Sequence, residues 1–358
     1  MMTKESLQKT FLELVKINSH HPDEQEMIDF VGACFDRAGI AWKQDAYGNV
    51  FATISGTGDP VLLSTHLDIP EPAPHVNPVI EGDIIRSDGK SILGADPKTG
   101  LAVILELALE LAQETQSHAP VEILLTRGEE KGLLGALHAD YSLLTAKIGF
   151  VLDEDGPVNQ VTVKAPGYVR FDASFKGKTV HPRDPEKGIN ALQMFCDAMK
   201  EGPWGHACEG VTWNIGQFQA GTARNSVPGH AEVHAELRSF DTELLKKESQ
   251  RIADQFCATA KTFGATCDVA QQLMFEGYDF DRTHPLFARM NAVYAQMGID
   301  PQYHETYGGS DVNVFIAHGI TAVTLGSAYY NAHEYTEYAN LAEMAQIADF
   351  LTRFLKGV

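Results

Sequence analysis

The sequence predicts an α/β protein with a mostly parallel sheet covered by helices on both faces. An inserted α+β lid domain, with an antiparallel sheet and two helices, is predicted as well. Over roughly the first 160 residues, short apolar runs alternate with helical patterns, which is typical of βαβ units. Near residue 165 the pattern changes to strands in which apolar and polar side chains alternate, as half-exposed antiparallel strands do.

The first part of the chain contains the elements of the parallel sheet. Residues 1–17 predict an amphipathic helix, and the wide apolar stripe of residues 98–114 predicts a buried one. The predicted strands are VLLSTHLD (61–68), VEILLT (121–126) and IGFVLD (148–153). Acidic residues follow each of these strands, so the polar groups are expected at one edge of the sheet.

The lid follows from the alternating strands YVRFDASFKG and HAEVHAELRSF and from helical patterns over residues 188–201 and 242–264. After about residue 272 the chain returns to buried patterns, and ITAVTLG (320–326) predicts a further strand. The predicted domains are a discontinuous catalytic domain, residues 1–164 and 271–358, and a lid, residues 165–270.

Composition excludes several classes of partner. A formal net charge of −20 argues against nucleic acid and anionic membranes, because a phosphate binder needs a basic face. No apolar run approaches the roughly 20 residues of a membrane span, and the acidic N-terminus does not resemble a secretory signal. The five scattered cysteines form no CxxC pair, which favours a reduced, cytoplasmic protein.

Two histidines and five carboxylates lie next to the predicted strands and the buried helix. They are His66, Asp68, Asp96, Glu129, Glu130, Asp153 and His333. Because the carboxyl ends of parallel strands meet at one edge of a sheet, these side chains are expected to converge. Carboxylates in such a cluster raise one another's pKa unless protons or cations intervene. Carboxylates mixed with imidazole suit zinc, and also manganese or cobalt.

Each of these features also has a plain structural explanation when it is taken alone. A single His-x-Asp is usually structural, a pair of glutamates is usually solvated, and an aspartate at a strand end often caps a helix. Their convergence on one edge is what favours a metal site.

In this order the residues resemble the co-catalytic zinc peptidase family that includes peptidase T, aminoacylase and carboxypeptidase G. The resemblance spans nearly the whole chain. Three further segments are similar to motifs of that family: GKTVHPRDPEKGINA (177–191), ARNSVPGHAEVHAELRSFD (223–241) and GGSD (308–311).

The resemblance implies a site for two divalent ions. His66, Asp96 and Asp153 would hold one ion, and Asp96, Glu130 and His333 would hold the other, with Asp96 shared. Asp68 would accept a hydrogen bond from His66 and fix its tautomer. Glu129 would not bind metal and would act as the general base.

Three lid residues complete the predicted site. His181 is expected to donate to an oxyanion, from the same chain or from a second copy, because lids of this family often act across a dimer. Asn225 and Arg238 resemble substrate-binding positions, and an arginine can grip a peptide carboxylate with two hydrogen bonds. His181 in an exposed loop and Arg238 in a surface ion pair are the alternative interpretations.

The chain departs from the family pattern at Pro97, where a second aspartate usually follows the bridging one across a cis peptide bond. A cis bond costs only about 0.5–1 kcal/mol before proline, so we expect Pro97 to keep that geometry. Asp153 competes with Glu154 and Asp155 for one ligand position. Asp153 is preferred because it leaves the strand first, and an aspartate here resembles the peptidase T and dipeptidase branch.

The leading functional hypothesis is therefore a cytoplasmic di-zinc aminopeptidase or tripeptidase acting on short peptides, with a possible homodimer through the lid. An N-acyl-amino-acid deacylase or carboxypeptidase on the same scaffold is the first alternative. A non-catalytic binding protein that retains the fold is the second.

Overall fold

The computed structural model describes residues 2–114, 117–200 and 204–357, which divide into two compact units. The first unit comprises Met1–Val163, Phe280–Glu305 and Ser310–Val358, and the second comprises Lys164–Asp279 and Thr306–Gly309. The ends of the predicted main domain, Met1 and Val358, lie outside the described residues, as does Glu201 at the end of a predicted helix.

The helices, in chain order, are α1 (Lys4–Leu14), α2 (Gln25–Ala38), α3 (Ala95–Leu111), α4 (Leu134–His138), α5 (Ala191–Ala198), α6 (Thr242–Thr262), α7 (Pro285–Met297), α8 (Val312–Ala317) and α9 (Leu341–Lys356). The described residues contain no helix with the length and apolar character of a membrane span.

The strands are β1 (Ala41–Gln44), β2 (Val50–Ile54), β3 (Val61–His66), β4 (Val79–Glu81), β5 (Ile84–Arg86), β6 (Val121–Thr126), β7 (Ile148–Glu154), β8 (Gln160–Ala165), β9 (Gly167–Lys176), β10 (Gly205–Cys208), β11 (Val211–Ala220), β12 (His230–Ser239), β13 (Thr266–Phe275), β14 (Tyr278–Asp279), β15 (Gln302–Glu305), β16 (Thr321–Gly326), β17 (Tyr329–Tyr330) and β18 (Tyr338–Asn340).

The main sheet of the first unit has the order β1-β2-β6-β3-β7-β16-β8, and β15 also pairs with β8. Its four central strands, β6, β3, β7 and β16, are parallel, whereas β2 and β8 join them in antiparallel pairs. Each of the predicted strands in this sheet is present, with bounds within two residues of the expectation. The predicted fold class is thus confirmed, with antiparallel strands added at both sides of the parallel centre.

Both faces of the central strands are buried. Along β3, Val61 and Leu63 belong to the large core cluster that includes residues of α1, α3, α7 and α9. The alternate residue Leu62 is equally buried but lies outside that cluster, on the other face. A strand covered on both sides reads as a continuous apolar run, which is why these strands could be predicted.

The second unit contains a five-stranded antiparallel sheet in the order β10-β11-β12-β9-β13. Its own core lies between the sheet and helices α5 and α6, with Phe171, Trp213 and Phe256 in edge-to-face contact. Asp241 caps α6 by accepting hydrogen bonds from the backbone of Glu243 and Leu244. The unit continues past residue 270 because β13 runs to Phe275.

A small antiparallel sheet of the first unit was not predicted. It has the order β17-β18-β5-β4, and its strands are only two or three residues long. Segments of that length carry too little periodic pattern to be recognised in a sequence. The small sheet matters because it brings residues 84–86 next to residues 338–340, which are far apart in the chain.

Helix α3 approaches the main sheet so closely that one position has no room for a side chain. A Cβ atom at Gly100 would lie 2.7 Å from both the Cβ and the carbonyl oxygen of Leu152 on β7. We expect Gly100→Ala to push α3 away from β7 and lower the free energy of unfolding by about 1–3 kcal/mol, as overpacking typically does. Urea unfolding measures this.

The matched control is Gly216→Ala, since the nearest atoms to its Cβ would lie 4.0 Å away. Equal unfolding midpoints for Gly100→Ala and the wild type would show that α3 does not depend on this close approach.

Candidate metal centre

The expected site residues of the first unit meet at the carboxyl ends of its parallel strands. His66 is the last residue of β3, and Asp153 lies next to the end of β7. Glu129 and Glu130 open a 3₁₀ turn, Glu129–Lys131, just after β6. The glycines on either side, Gly128 and Gly132, have φ values of 62° and 99°, which glycine adopts without a steric penalty.

Asp96 and His333 reach the same place from irregular backbone. Asp96 lies in the first turn of α3 but has non-helical angles, φ −79° and ψ 115°. Its bond to Pro97 is cis, the geometry expected at this position. His333 follows β17 in a loop and has a left-handed φ of 65°.

These side chains form two groups that are suited to hold an ion. In the first, Nε2 of His66 lies 3.0 Å from Oδ1 of Asp96 and 3.1 Å from Oδ1 of Asp153. In the second, Nε2 of His333 lies 3.3 Å from Oδ2 of Asp96 and 2.9 Å from Oε1 of Glu130. Within each group the ligand atoms all lie within 4.8 Å of one another. Asp96 offers one oxygen to each group.

A third grouping within the same distance consists of His66, Glu129 and Glu130. It places the carboxylate of Glu129 within reach of an ion. Geometry therefore leaves two roles open for Glu129, as a base beside the ions or as a ligand.

The residues present fit a pair of cations. Oε1 of Glu130 is buried and receives no hydrogen bond from any described residue, although Nε2 of His333 is close by. A buried acceptor without a partner costs roughly 1–3 kcal/mol, and a bound cation removes that cost. Imidazole nitrogen together with carboxylate oxygen is a donor set that divalent transition metals and zinc accept.

The electrostatics of the cluster also favour positive charge. Burial raises the pKa of Asp153 to about 7 against the opposing effect of His66. Burial and the nearby charge of Asp153 raise the pKa of Glu129 well above its usual range. The adjacent carboxylates of Asp96 and Glu130 raise the pKa of His333 to about 10. In the metal-free protein, protons thus partly take the place that cations would fill.

These shifts predict how the metal-free protein responds to pH. Burial also raises the pKa of Asp311 beside the site to about 6, so Asp153 and Asp311 both bind protons more tightly when folded than their ordinary value near 3.9 implies. The folded state therefore holds more protons than the unfolded state, and stability falls as pH rises from about 4 to about 7. His333 acts in the same direction above about pH 6.5, since its folded pKa is also raised.

We expect the melting temperature of chelator-treated protein to be lower at about pH 8 than at about pH 5. Added divalent ions should weaken this trend, because they replace the bound protons. A melting temperature that rises with pH in the metal-free protein would contradict the expectation.

Asp68 is fully buried and holds the glutamate turn. Its Oδ1 accepts the backbone N–H of Glu129 at 2.9 Å, and its Oδ2 accepts that of Glu130 at 3.2 Å. Nδ1 of His66 lies 3.4 Å from Oδ1 of Asp68, which is too long for a strong hydrogen bond. The expected hydrogen bond from His66 to Asp68 is therefore not formed in this structure, and the hydrogen bonds that Asp68 accepts orient the turn that carries both glutamates.

The three expected lid residues belong to the second unit. His181 is exposed, and its Nδ1 accepts the backbone N–H of Arg183. Asn225 is exposed in the turn between β11 and β12. The guanidinium of Arg238 donates two 3.2 Å hydrogen bonds to Glu236 and a third, 3.1 Å long, to the carbonyl of Tyr307. Arg238 thus already has a carboxylate partner within its unit, and the substrate roles of all three residues stay predictions.

Two buried carboxylates beside the site were missed. Asp311 accepts a 2.6 Å hydrogen bond from the hydroxyl of Thr126, and its other oxygen is buried without a partner among the described residues. The GGSD segment that contains Asp311 was the available signal.

Glu24, also fully buried, accepts hydrogen bonds from the side chain of Arg127 and the backbone N–H of Gly128, just before the glutamate turn. Nothing in the local pattern around Glu24 marks it as buried.

Comparison with known proteins gives matches over the whole chain. A family model of a peptidase dimerisation domain matches residues 163–262, and a model of peptidase family M28 matches residues 49–166. Peptidase T of Escherichia fergusonii is 25% identical over 305 residues, which cover 83% of this chain and 72% of that protein.

Two solved structures are more similar still. The aminopeptidase PepT from Bacillus cereus has a TM-score of 0.88 and 32% identity, and the match covers 99% of both chains. A tripeptidase from Staphylococcus aureus has a TM-score of 0.91 and 30% identity over 99% of this chain and 98% of that one. With this identity over nearly the full length of both relatives, the chain belongs to the peptidase T-like family of co-catalytic metallopeptidases and is a metal-dependent hydrolase.

Proposed function

We propose that the chain is a dinuclear aminopeptidase or tripeptidase that cleaves a peptide bond in short peptides. The observation that carries the proposal is the placement of Asp96, whose two carboxylate oxygens belong to two separate groups of potential ligands. The similar aminopeptidase and tripeptidase structures support the choice of substrate class.

The proposed ligands are His66, Asp96 and Asp153 for one ion, and Asp96, Glu130 and His333 for the other. Zinc suits these donors, and manganese or cobalt would be accepted by them as well. When bound, the two ions would polarise the scissile carbonyl and lower the pKa of an attacking water.

Glu129 is proposed as the general base. It belongs to the same turn as the proposed ligand Glu130, and its carboxylate lies within 4.8 Å of ligand atoms of His66 and Glu130. Its raised pKa favours a residue that takes up a proton from water and later delivers it to the leaving amine. Asp68 positions this carboxylate through the backbone N–H of Glu129.

The remaining assignments are part of the same proposal. His181 would donate to the oxyanion, and Asn225 and Arg238 would contact the substrate. The match to a peptidase dimerisation domain supports a homodimer through the second unit. Five free cysteines are consistent with action in the reducing cytoplasm, where thiols persist.

A substrate panel tests the proposed function. Chelator-treated protein is reloaded with zinc, manganese or cobalt and incubated with tripeptides, their N-acetylated and C-amidated forms, and N-acyl amino acids. Release of the N-terminal residue from peptides with a free α-amine is expected, with no turnover of the acetylated forms.

The other outcomes distinguish the alternatives. Preferential turnover of N-acyl amino acids would indicate a deacylase, and loss of activity on C-amidated peptides alone would indicate a carboxypeptidase. Full metal loading without cleavage of any amide in the panel would indicate a binding protein.

A further inference from the structure

We infer that Glu337 is a positioning residue that fixes Asp96 and His333 relative to each other, and thereby sets the affinity of the site for metal. The inference rests on the proposed function, because it assigns metal ligation to Asp96 and His333. Glu337 was not among the expected site residues, and it touches the site through backbone groups.

The carboxylate of Glu337 is buried against the start of α3. Glu337 as a whole is only 1% exposed to solvent. Oε2 accepts the backbone N–H groups of Leu93 and Gly94, both at 2.7 Å, and Oε1 accepts that of Asp96 at 3.0 Å. The carboxylate thus accepts three hydrogen bonds from three nearly consecutive residues, and these bonds fix the segment that carries the Asp96 side chain.

This segment needs such a partner because α3 starts without a side-chain cap. Gly94, at the N-cap position, has a left-handed φ of 71° and no side chain to offer. The first N–H groups of a helix have no partner inside it, and the positive end of the helix dipole attracts an anion. Glu337 supplies both the acceptors and the charge from 241 residues further along the chain.

The same residue is tied to the loop of His333. Glu337 directly precedes β18, which pairs with β5 at Tyr338 and Arg86. The carbonyl of Glu337 accepts the N–H of Ser87 at 3.0 Å, and its own N–H donates to the carbonyl of Glu334 at 3.0 Å. The segment leading to Asp96 and the segment leaving His333 are therefore joined at this point.

Within the described residues, the backbone of His333 makes no hydrogen bond to other backbone groups, so its position depends on how the flanking segments are held. Its left-handed φ of 65° is uncommon for a residue with a Cβ atom, and its side chain is 50% exposed. A ligand in such a loop keeps its position only if the loop is fixed at a nearby point. Glu337, four residues further on, ties the loop to the segment that carries Asp96.

Removing the carboxylate should therefore weaken metal binding without removing a ligand. Groups that orient ligands typically contribute 10–100-fold to metal affinity, and we expect Glu337→Ala to lie in that range. Glu337→Gln keeps the shape but replaces one acceptor by an amide NH₂ that faces an N–H group. We expect it to bind metal with an affinity between those of Glu337→Ala and the wild type.

Glu122 provides the matched control. It is also a buried glutamate, and it accepts the backbone N–H groups of Thr145 and Ala146 through the same carboxylate. It lies near the start of β6, at the end of the strand opposite to the proposed metal site. Glu122→Ala should lose a comparable set of hydrogen bonds and leave the ligands undisturbed.

The experiment measures zinc affinity by competition with a chelator of known affinity, for the full-length wild type, Glu337→Ala, Glu337→Gln and Glu122→Ala. Hydrogen–deuterium exchange of peptides covering residues 87–96 is measured in parallel on the metal-free proteins. We expect weaker zinc binding and faster exchange for Glu337→Ala, a smaller effect for Glu337→Gln, and wild-type values for Glu122→Ala.

Wild-type zinc affinity in Glu337→Ala, or an equal loss in Glu122→Ala, would overturn the inference. A wild type that binds no divalent ion would instead refute the proposed function. In that case the exchange data still decide whether Glu337 holds the segment: faster exchange in Glu337→Ala alone supports it, and unchanged exchange overturns it.

Discussion

Replacing Glu129 by glutamine is expected to lower kcat by about 10²–10⁴-fold, the usual contribution of a general acid or base. The amide cannot take a proton from the attacking water or return it to the leaving amine. The backbone N–H of Glu129 still donates to Asp68, so the turn should keep its shape. Steady-state kinetics on a tripeptide and metal analysis of the same preparation measure the two effects separately.

The metal content of Glu129→Gln is the deciding observation. If Glu129 is the base, the variant keeps both ions; if it is a ligand, as the grouping of His66, Glu129 and Glu130 permits, it loses metal together with activity. Glu130→Gln is the matched control in the same turn, and we expect it to bind metal more weakly. An active, metal-loaded Glu129→Gln enzyme would rule out both roles.

The strands that carry the site could be predicted because both of their faces are buried. Val61, Leu62 and Leu63 are each at most 1% exposed, so this part of β3 is apolar without interruption. The strand then continues through the buried Ser64 and Thr65 to its end at His66. His66 and Asp153 are found at such ends, next to each other across the sheet. The convergence of the side chains that follow these strands therefore needed only the rule for parallel sheets, whereas Asp96 and His333 reach the site from irregular backbone.

The residues that support the site could not be predicted in this way. Glu337 and Glu24 are buried carboxylates whose partners are mainly backbone N–H groups or an arginine far away in the sequence. Their neighbours in the sequence are polar, so the local pattern indicates an exposed turn. Only the assembled fold shows that these charges have lost their water, because the segments that bury them come from distant parts of the chain.

Arg238 shows the opposite limit, because its motif is recognisable and its role is not. Position and residue type resemble a substrate-binding arginine, yet its guanidinium is engaged by Glu236 and by the carbonyl of Tyr307. A substrate carboxylate would have to compete with that pair. A resemblance to a family shows which residue occupies a motif position. Whether that residue can bind substrate depends on which of its hydrogen-bond donors have no partner within the protein.

Replacing Asp96 by asparagine is expected to remove both ions, since each proposed group uses one oxygen of this side chain. The amide has nearly the same shape, but it lacks the negative charge and one of the two acceptor oxygens. Loss of the ions should lower kcat/KM by about 10³-fold or more, because several kcal/mol of transition-state stabilisation depend on them. Metal analysis after equilibration with zinc, together with kinetics, checks both expectations.

Two single-site variants make this prediction specific. Asp153→Asn and His333→Ala each remove a ligand from only one of the two groups, so each variant is expected to retain one tightly bound ion per chain. Asp96→Asn is expected to retain none. In Asp96→Asn the backbone N–H that donates to Glu337 is still present, so loss of the ions would not reflect a collapsed loop. Equal metal content in all three variants would mean that Asp96 does not bridge, and that the two groups are not independent halves of one site.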